Sequence, residues 1–153
     1  MHIHQLLSPD RVACCQQSTR TKRPLEQLSQ LLARDAPNLT ADEIFDSFIG
    51  RERLGSTGLG HGVAIPHGRM SGLGEPIGAF IRLETAIDFD ALDRRPVDLM
   101  FALLVPEEAT DAHLQLLAQL ARMFSDAMFT ERLRGSHGSQ ELYELLQHWE
   151  AAA

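Results

Sequence analysis

The sequence predicts a single α/β domain, a mixed β-sheet with α-helices packed against it. Three observations carry that prediction. Helical periodicity comes before, between and after several strand-like segments, which puts helices on the faces of a sheet. One segment, 99–105, is apolar at every position, as in a central strand covered on both faces. The chain has 153 residues, 44% of them hydrophobic, and no internal repeat or low-complexity linker. That is enough for one self-standing core. The strand order does not follow from the pattern.

The elements are read in order. The first few residues and the tail, 151–153, are expected to fray. From about 21 to 34, Leu25, Leu28 and Leu32 share a helical face, with Pro24 tolerable in the first turn. Thr40 and Glu43 have capping-box spacing. Ile44, Phe45, Phe48 and Ile49 then form the buried stripe of a second helix, running to about Arg53 and ended by Gly55. Residues 55–62 are too glycine-rich for regular structure. A short strand, 63–65, should stop at Pro66, which has no N–H for a ladder. Ile77, Ala79, Ile81 and Leu83 alternate, as in a strand with one buried face. A long helix follows Thr110, with Leu114, Leu117, Leu120, Ala121 and Phe124 as its stripe, and shorter helices fit 128–134 and 139–149.

Composition excludes several classes. Fourteen Lys and Arg against 21 Asp and Glu give −7, which argues against nucleic acid or an anionic membrane as partner. No run approaches the ~18 apolar residues of a transmembrane helix. Asp10 and Arg11 stand where a signal peptide would place its apolar stretch, so a cytoplasmic location is expected. The adjacent Cys14 and Cys15 are read as two reduced thiols.

The densest unusual segment is GSTGLGHGVAIPHGR, 55–69. It is not a P-loop, because His61 replaces the lysine and no Ser or Thr follows. It is not a dinucleotide fingerprint, because Val63 stands at the third glycine position. What remains is a polar loop feeding a short strand that ends by presenting His67. Gly68 is expected to leave room for another molecule at the imidazole. The plainer reading is a histidine that caps a strand end.

Four blocks in order, RERLGSTG, GVAIPHGR, FDALDRRPVDLMFALLVP and the helix opening at Asp111-Ala-His113, make a more specific signal. Over about 5–148 the chain resembles enzyme IIA of the bacterial phosphotransferase system, fructose–mannitol–nitrogen class, and within it the nitrogen-regulatory type. The resemblance implies one such domain over 1–153. It implies that His67 accepts a phosphoryl group on Nε2, with Arg51 and His113 beside it. The implied donor is a phosphohistidine carrier protein of the nitrogen branch, and the implied readers are regulatory target proteins. No cofactor and no metal is expected. Two other readings stay open: a sugar-specific enzyme IIA that passes its phosphoryl group to a IIB domain, and an unphosphorylated binding module of the same fold. The absence of a IIB or IIC segment by residue 153 is taken to favour the regulator.

The residues suit those roles on their own chemistry. An ordinary histidine pKa near 6.5 supplies a neutral nucleophile at pH 7. The other ring nitrogen needs a fixed acceptor, which the sequence does not identify. Ile44, Phe48 and Arg51 share a helical face, so Arg51 is either a bidentate phosphate ligand or a solvated arginine favoured by the helix end. His113 shares a face with Leu117, Leu120 and Phe124 and points inward, near a positive helix end if Thr110 is the N-cap. Ser56 and Thr57 either donate to phosphoryl oxygens or only shape the turn. His61, His67, His113 and the two cysteines match no zinc spacing. Asp88, Asp90 and Asp93 lack the glycine and final Glu of a Ca²⁺ loop and are read as solvated. The remaining histidines, near ends or loops, need no special role.

Overall fold

The computed structural model describes residues 3–16, 22–108 and 110–149, with the side chains of 15 and 16 excepted. The strands are β1 (Val12–Gln16), β2 (Gly58–Gly60), β3 (Val63–Ala64), β4 (His67–Met70), β5 (Ile77–Ile87) and β6 (Val97–Pro106). The helices are α1 (Lys22–Ala33), α2 (Ala41–Glu52), α3 (Thr110–Phe124), α4 (Ala127–Arg134) and α5 (Ser139–His148). One mixed sheet runs β1-β5-β6-β3-β2, with β4 also paired to β6. This is the α/β class expected from the sequence.

The apolar run of β6 sits at the sheet centre. It pairs antiparallel with β5, Phe80 opposite Phe101, and parallel with both β3 and β4. Its alternate side chains feed two cores. Met100, Ala102 and Leu104 pack with Leu25, Leu28, Leu32, Ile44 and Phe48 under α1 and α2. Leu99, Phe101, Leu103 and Val105 pack with Leu116, Leu120, Leu133, Leu142 and Leu146 under α3, α4 and α5. Helices on both faces leave no solvent side, so a central strand must be apolar throughout.

The second helix forms as its cap predicts. Thr40 Oγ1 accepts from Glu43 N–H and Glu43 Oε1 from Thr40 N–H, both at 3.1 Å. Other elements differ from expectation. β5 extends to Ile87 and is buried on both faces through its first half, because it lies between β1 and β6. The glycine-rich 55–62 segment includes β2, since a backbone ladder to β3 needs no side chains. Pro66 ends β3, yet β4 resumes at once along β6, and Pro66 O still accepts from Leu103 N–H at 2.9 Å. In α3 the buried residues are Leu116, Leu120, Met123 and Phe124, while Leu114 is 64% exposed. The face toward the sheet is therefore rotated from the expected stripe.

From Ile3 onward the chain does not fray, because Ile3, Leu6 and Leu7 are buried in the core. Residues 1 and 2, Thr21 and the tail 151–153 lie outside the described residues. Cys14 is disulfide-bonded, and the sequence holds one other cysteine, so the expectation of two reduced thiols is corrected. No helix among the described residues is long and apolar enough to cross a membrane.

Candidate functional site

His67 opens β4, half-buried, immediately after the Pro66 break. Its Nδ1 lies 2.8 Å from Ile65 O. A carbonyl can only accept, so Nδ1 carries the proton and Nε2 carries the free lone pair. The break supplies this acceptor: Ile65 N–H is bonded to Thr57 O at 3.0 Å while its carbonyl turns to the ring two residues ahead.

The strand register decides which face the ring takes. His67 stands beside Leu103 and Arg69 beside Val105, both in the core under α3. Gly68 stands beside Leu104 and faces α2, where an added Cβ would collide with Ser47 Oγ. Gly68 therefore makes room for α2, and the expectation that it clears an approach to the imidazole is corrected.

On the α3 side the His113 ring meets His67 edge to face, with centroids 5.3 Å apart. His113 Nε2 is buried and has no hydrogen-bond partner in the structure. A buried ring nitrogen without a partner costs stability. Both imidazoles are held below the ordinary histidine range. Burial is the main cause at each. The Arg51 guanidinium adds to it at His67, and His67, Arg69 and Arg51 add to it at His113. The two rings are thus poised neutral at pH 7, in a field made positive by arginines.

Arg51 lies in the last turn of α2 beyond the buried Ile44 and Phe48, and its Nη1 donates to Gly55 O at 2.8 Å. The following loop is fixed by its own bonds. Ser56 Oγ donates to Phe89 O at 2.8 Å and accepts from Gly58 N–H at 3.0 Å. Thr57 Oγ1 and Thr57 N–H both donate to the Glu52 carboxylate. Both hydroxyls thus shape the turn. Burial raises the Glu52 pKa, and its bonds to Thr57 oppose that shift. Gly58 is required by a close approach, because a Cβ there would lie 2.8 Å from Ala91 Cβ and 3.1 Å from Ala91 Cα.

His61 is not part of this cluster. It turns the chain between β2 and β3 at φ 57°, its N–H on Asp93 Oδ2 at 2.8 Å and its carbonyl on Arg134 Nη2 at 2.7 Å. In register it lies beyond Val63, which pairs with Leu99, four residues along β6 from Leu103. Val63 is thus roughly 13 Å from His67 at strand spacing. Asp88 and Asp93 use carboxylate oxygens on the backbone of their own loop. No group of three or more His, Cys, Asp or Glu that could hold a metal occurs among the described residues.

Three features escaped the sequence reading: the Ile65 carbonyl, Glu52 and Arg69. A main-chain acceptor leaves no mark in residue identity, and nothing in the spacing links Glu52 to Thr57. Arg69 was findable. A period-2 reading from His67 puts it on the same face, but Pro66 read as the end of the strand.

A strand-borne histidine with Nδ1 fixed on a carbonyl stands against a second histidine, in a field made positive by arginines. The fold around it is that of an enzyme IIA domain: the family model of the phosphoenolpyruvate-dependent sugar phosphotransferase system, EIIA 2, matches residues 5–149, and the chain belongs to that family. Among its relatives, a nitrogen regulatory protein of Pseudomonas aeruginosa is 46% identical over 146 residues, 95% of each chain. Another from Escherichia coli K12 is 43% identical over 126 residues, 82% of this chain and 77% of the relative. The crystal structure of nitrogen regulatory protein IIA-Ntr from Neisseria meningitidis superposes with a TM-score of 0.85 at 40% identity, covering 94% of this chain and 98% of that one. The resemblance to the nitrogen-regulatory type read from the sequence is borne out.

Proposed function

We propose that the protein accepts a phosphoryl group on His67 Nε2 from a phosphohistidine carrier protein of the nitrogen branch, and that its phosphorylation state sets its affinity for regulatory target proteins. The observation that carries this reading is the 2.8 Å bond from His67 Nδ1–H to Ile65 O, which leaves Nε2 as the nucleophile. In the transfer, the Nε2 lone pair forms the new N–P bond. The donor's N–P bond breaks, its electron pair returns to the donor ring, and Nδ1 keeps its proton on Ile65. Phosphoryl transfer asks the protein chiefly for positioning and charge stabilisation. Arg51 supplies positive charge from the end of α2. His113 Nε2, carrying a proton, donates to a phosphoryl oxygen and so gains the partner it lacks. Ser56 and Thr57 hold the loop between Arg51 and the sheet. The domain works in the cytoplasm, where such a donor is found, and needs no cofactor or metal.

The transferred phosphoryl group carries up to about two negative charges at pH 7, by analogy with phosphorylated hydroxyl residues, offset in part by the proton that Nδ1 keeps. Placed on an acidic chain, that change repels or recruits a partner surface without refolding the domain. The exposed side chains of Leu54 and Leu114, each near a site residue in sequence, suit contact with a protein rather than with a small ion.

The test is incubation with phosphoenolpyruvate, enzyme I and the carrier protein. The wild type gains one acid-labile phosphoryl group by mass and His67→Ala gains none. Undiminished labelling of His67→Ala overturns the assignment, and absence of labelling in the wild type with an active donor chain leaves a binding module. Rapid onward transfer to a fructose or mannitol IIB domain, with no partner that distinguishes the two forms, makes the protein a transport component instead.

A further inference from the structure

The β4 register places Arg69 two residues beyond His67 on the same face of the sheet, a step of roughly 6.6 Å along a strand. Its Nη1 reaches Thr110 Oγ1 at 3.4 Å. Thr110 begins α3 one turn before His113, so the two share a helical face. Arg69 therefore bridges from the His67 strand to the His113 helix. The bridge is a weak one, since 3.4 Å is long for a hydrogen bond and both partners are exposed. Among the described residues no carboxylate pairs with Arg69. Its charge acts on His113 more strongly than that of Arg51 does, while Arg51 is the arginine that acts on His67. The two guanidiniums thus act on the histidine pair from different elements, Arg51 from α2 and Arg69 from β4.

We propose that Arg69 is a second anion-binding residue of the site, beside Arg51, which leaves Thr110 and donates to the oxygens of the phosphoryl group on His67. This rests on the reading of His67 as phosphoryl acceptor. A guanidinium has five donors in a planar fork matched to phosphate oxygens, and a single long bond to a hydroxyl uses little of that capacity. No covalent bond is made or broken by Arg69; hydrogen bonds to Thr110 and water are exchanged for charge-assisted ones to the phosphoryl group.

The discriminating measurement is the equilibrium partition of the phosphoryl group between carrier and protein. It depends on the free energies of the separated species, so a change in docking alone does not move it. Arg69→Gln is expected to shift the partition about tenfold toward the carrier, the size of one charge-assisted hydrogen bond. Arg69→Lys recovers part of that shift as a point charge. Thr110→Val, which removes the competing acceptor, leaves the partition unchanged or moves it toward the protein. Thermal melts of the three variants check that each is folded. An Arg69→Gln partition equal to wild type, with or without a slower rate of transfer, overturns the inference and leaves Arg69 as a docking or helix-pinning residue. A wild type that takes no phosphoryl group at all overturns the underlying reading, and this one with it.

Discussion

The imidazoles of His67 and His113 meet edge to face with centroids 5.3 Å apart, one carried by a strand and the other by the first turns of a helix. Burial and neighbouring arginines hold both below the ordinary pKa. Either ring, once protonated, would raise the cost of protonating the other. The pair therefore favours its neutral form, and most of what can be tested follows from that.

The first expectation is a pH profile. His67 stays neutral below its usual midpoint, so under the proposed function the rate of phosphoryl acceptance should hold its plateau to pH values below 6.5 and fall only further into acid. An acid limb with its midpoint at 6.5 or above, in rates measured against the phosphorylated carrier, contradicts the lowered value.

Stability carries the same signature. Between the folded pKa values and 6.5 the unfolded chain binds protons that the folded site resists, so stability is full above 6.5 and declines as pH falls through that window. Glu52, whose pKa burial raises, works in the opposite sense near the carboxylate range. The urea midpoint of wild type should thus drop between pH 7.5 and 5.5 more than that of the double variant His67→Gln/His113→Phe. Equal drops would place the pH dependence elsewhere.

His113→Phe should separate stability from activity. The ring it replaces has a buried Nε2 with no partner, and exchanging such a group for an apolar one of similar shape is neutral or stabilising. Transfer should slow by about tenfold or more through loss of a donor to the phosphoryl group. Loss of stability with unchanged transfer would make His113 a core residue only.

Gly58→Ala should destabilise by about 1–3 kcal/mol, because its methyl meets both Cβ and Cα of Ala91. Adding Ala91→Gly to the same chain should recover part of the loss. Chemical denaturation of the two single variants and the double variant measures the coupling, which is absent if the two effects simply add.

Thr40→Ala removes half of the capping box and should cost about 1 kcal/mol, read as a lower denaturation midpoint. Transfer should be nearly unchanged, because Arg51 lies at the far end of the same helix.

How far the sequence could be read depended on what holds each element. The strand at Leu99–Val105 and the helix after Thr40 are set by side chains, one by apolar continuity and the other by a cap with a stripe behind it. Both were legible. β2 and β4 contain GLG and HGRM, which carry no hydrophobic pattern, and they exist because β3 and β6 offer them backbone partners. β1 likewise depends on β5. Such strands are decided by neighbours that a local window does not contain. The helix stripe after Thr110 failed for a related reason. Its leucines are dense enough to fit more than one face, and only packing on Leu103 and Val105 selects Leu116 over Leu114.

The site divides along the same line. His67 was singled out by its setting and by resemblance, Arg51 and His113 by resemblance; the structure brings the two rings together, with the Arg51 charge acting on both. Ser56 and Thr57 were left between two roles, and the structure shows their hydroxyls bonded within the loop, to Phe89 O and to Glu52. Arg69 was hidden by Pro66, whose missing N–H was read as a full stop when it is only a gap in a ladder that β6 continues to support.

That gap has a consequence for mutational tolerance. The proton on His67 is held by the Ile65 carbonyl, and every amino acid brings a carbonyl. Replacing Ile65 alters the core beneath the strand but leaves the acceptor in place. Selection of the His67 tautomer is therefore written into the path of the main chain, where sequence drift at that position cannot erase it. Only a change that lets the backbone straighten through residues 65 and 66, such as loss of the proline, exposes the ring to the wrong tautomer.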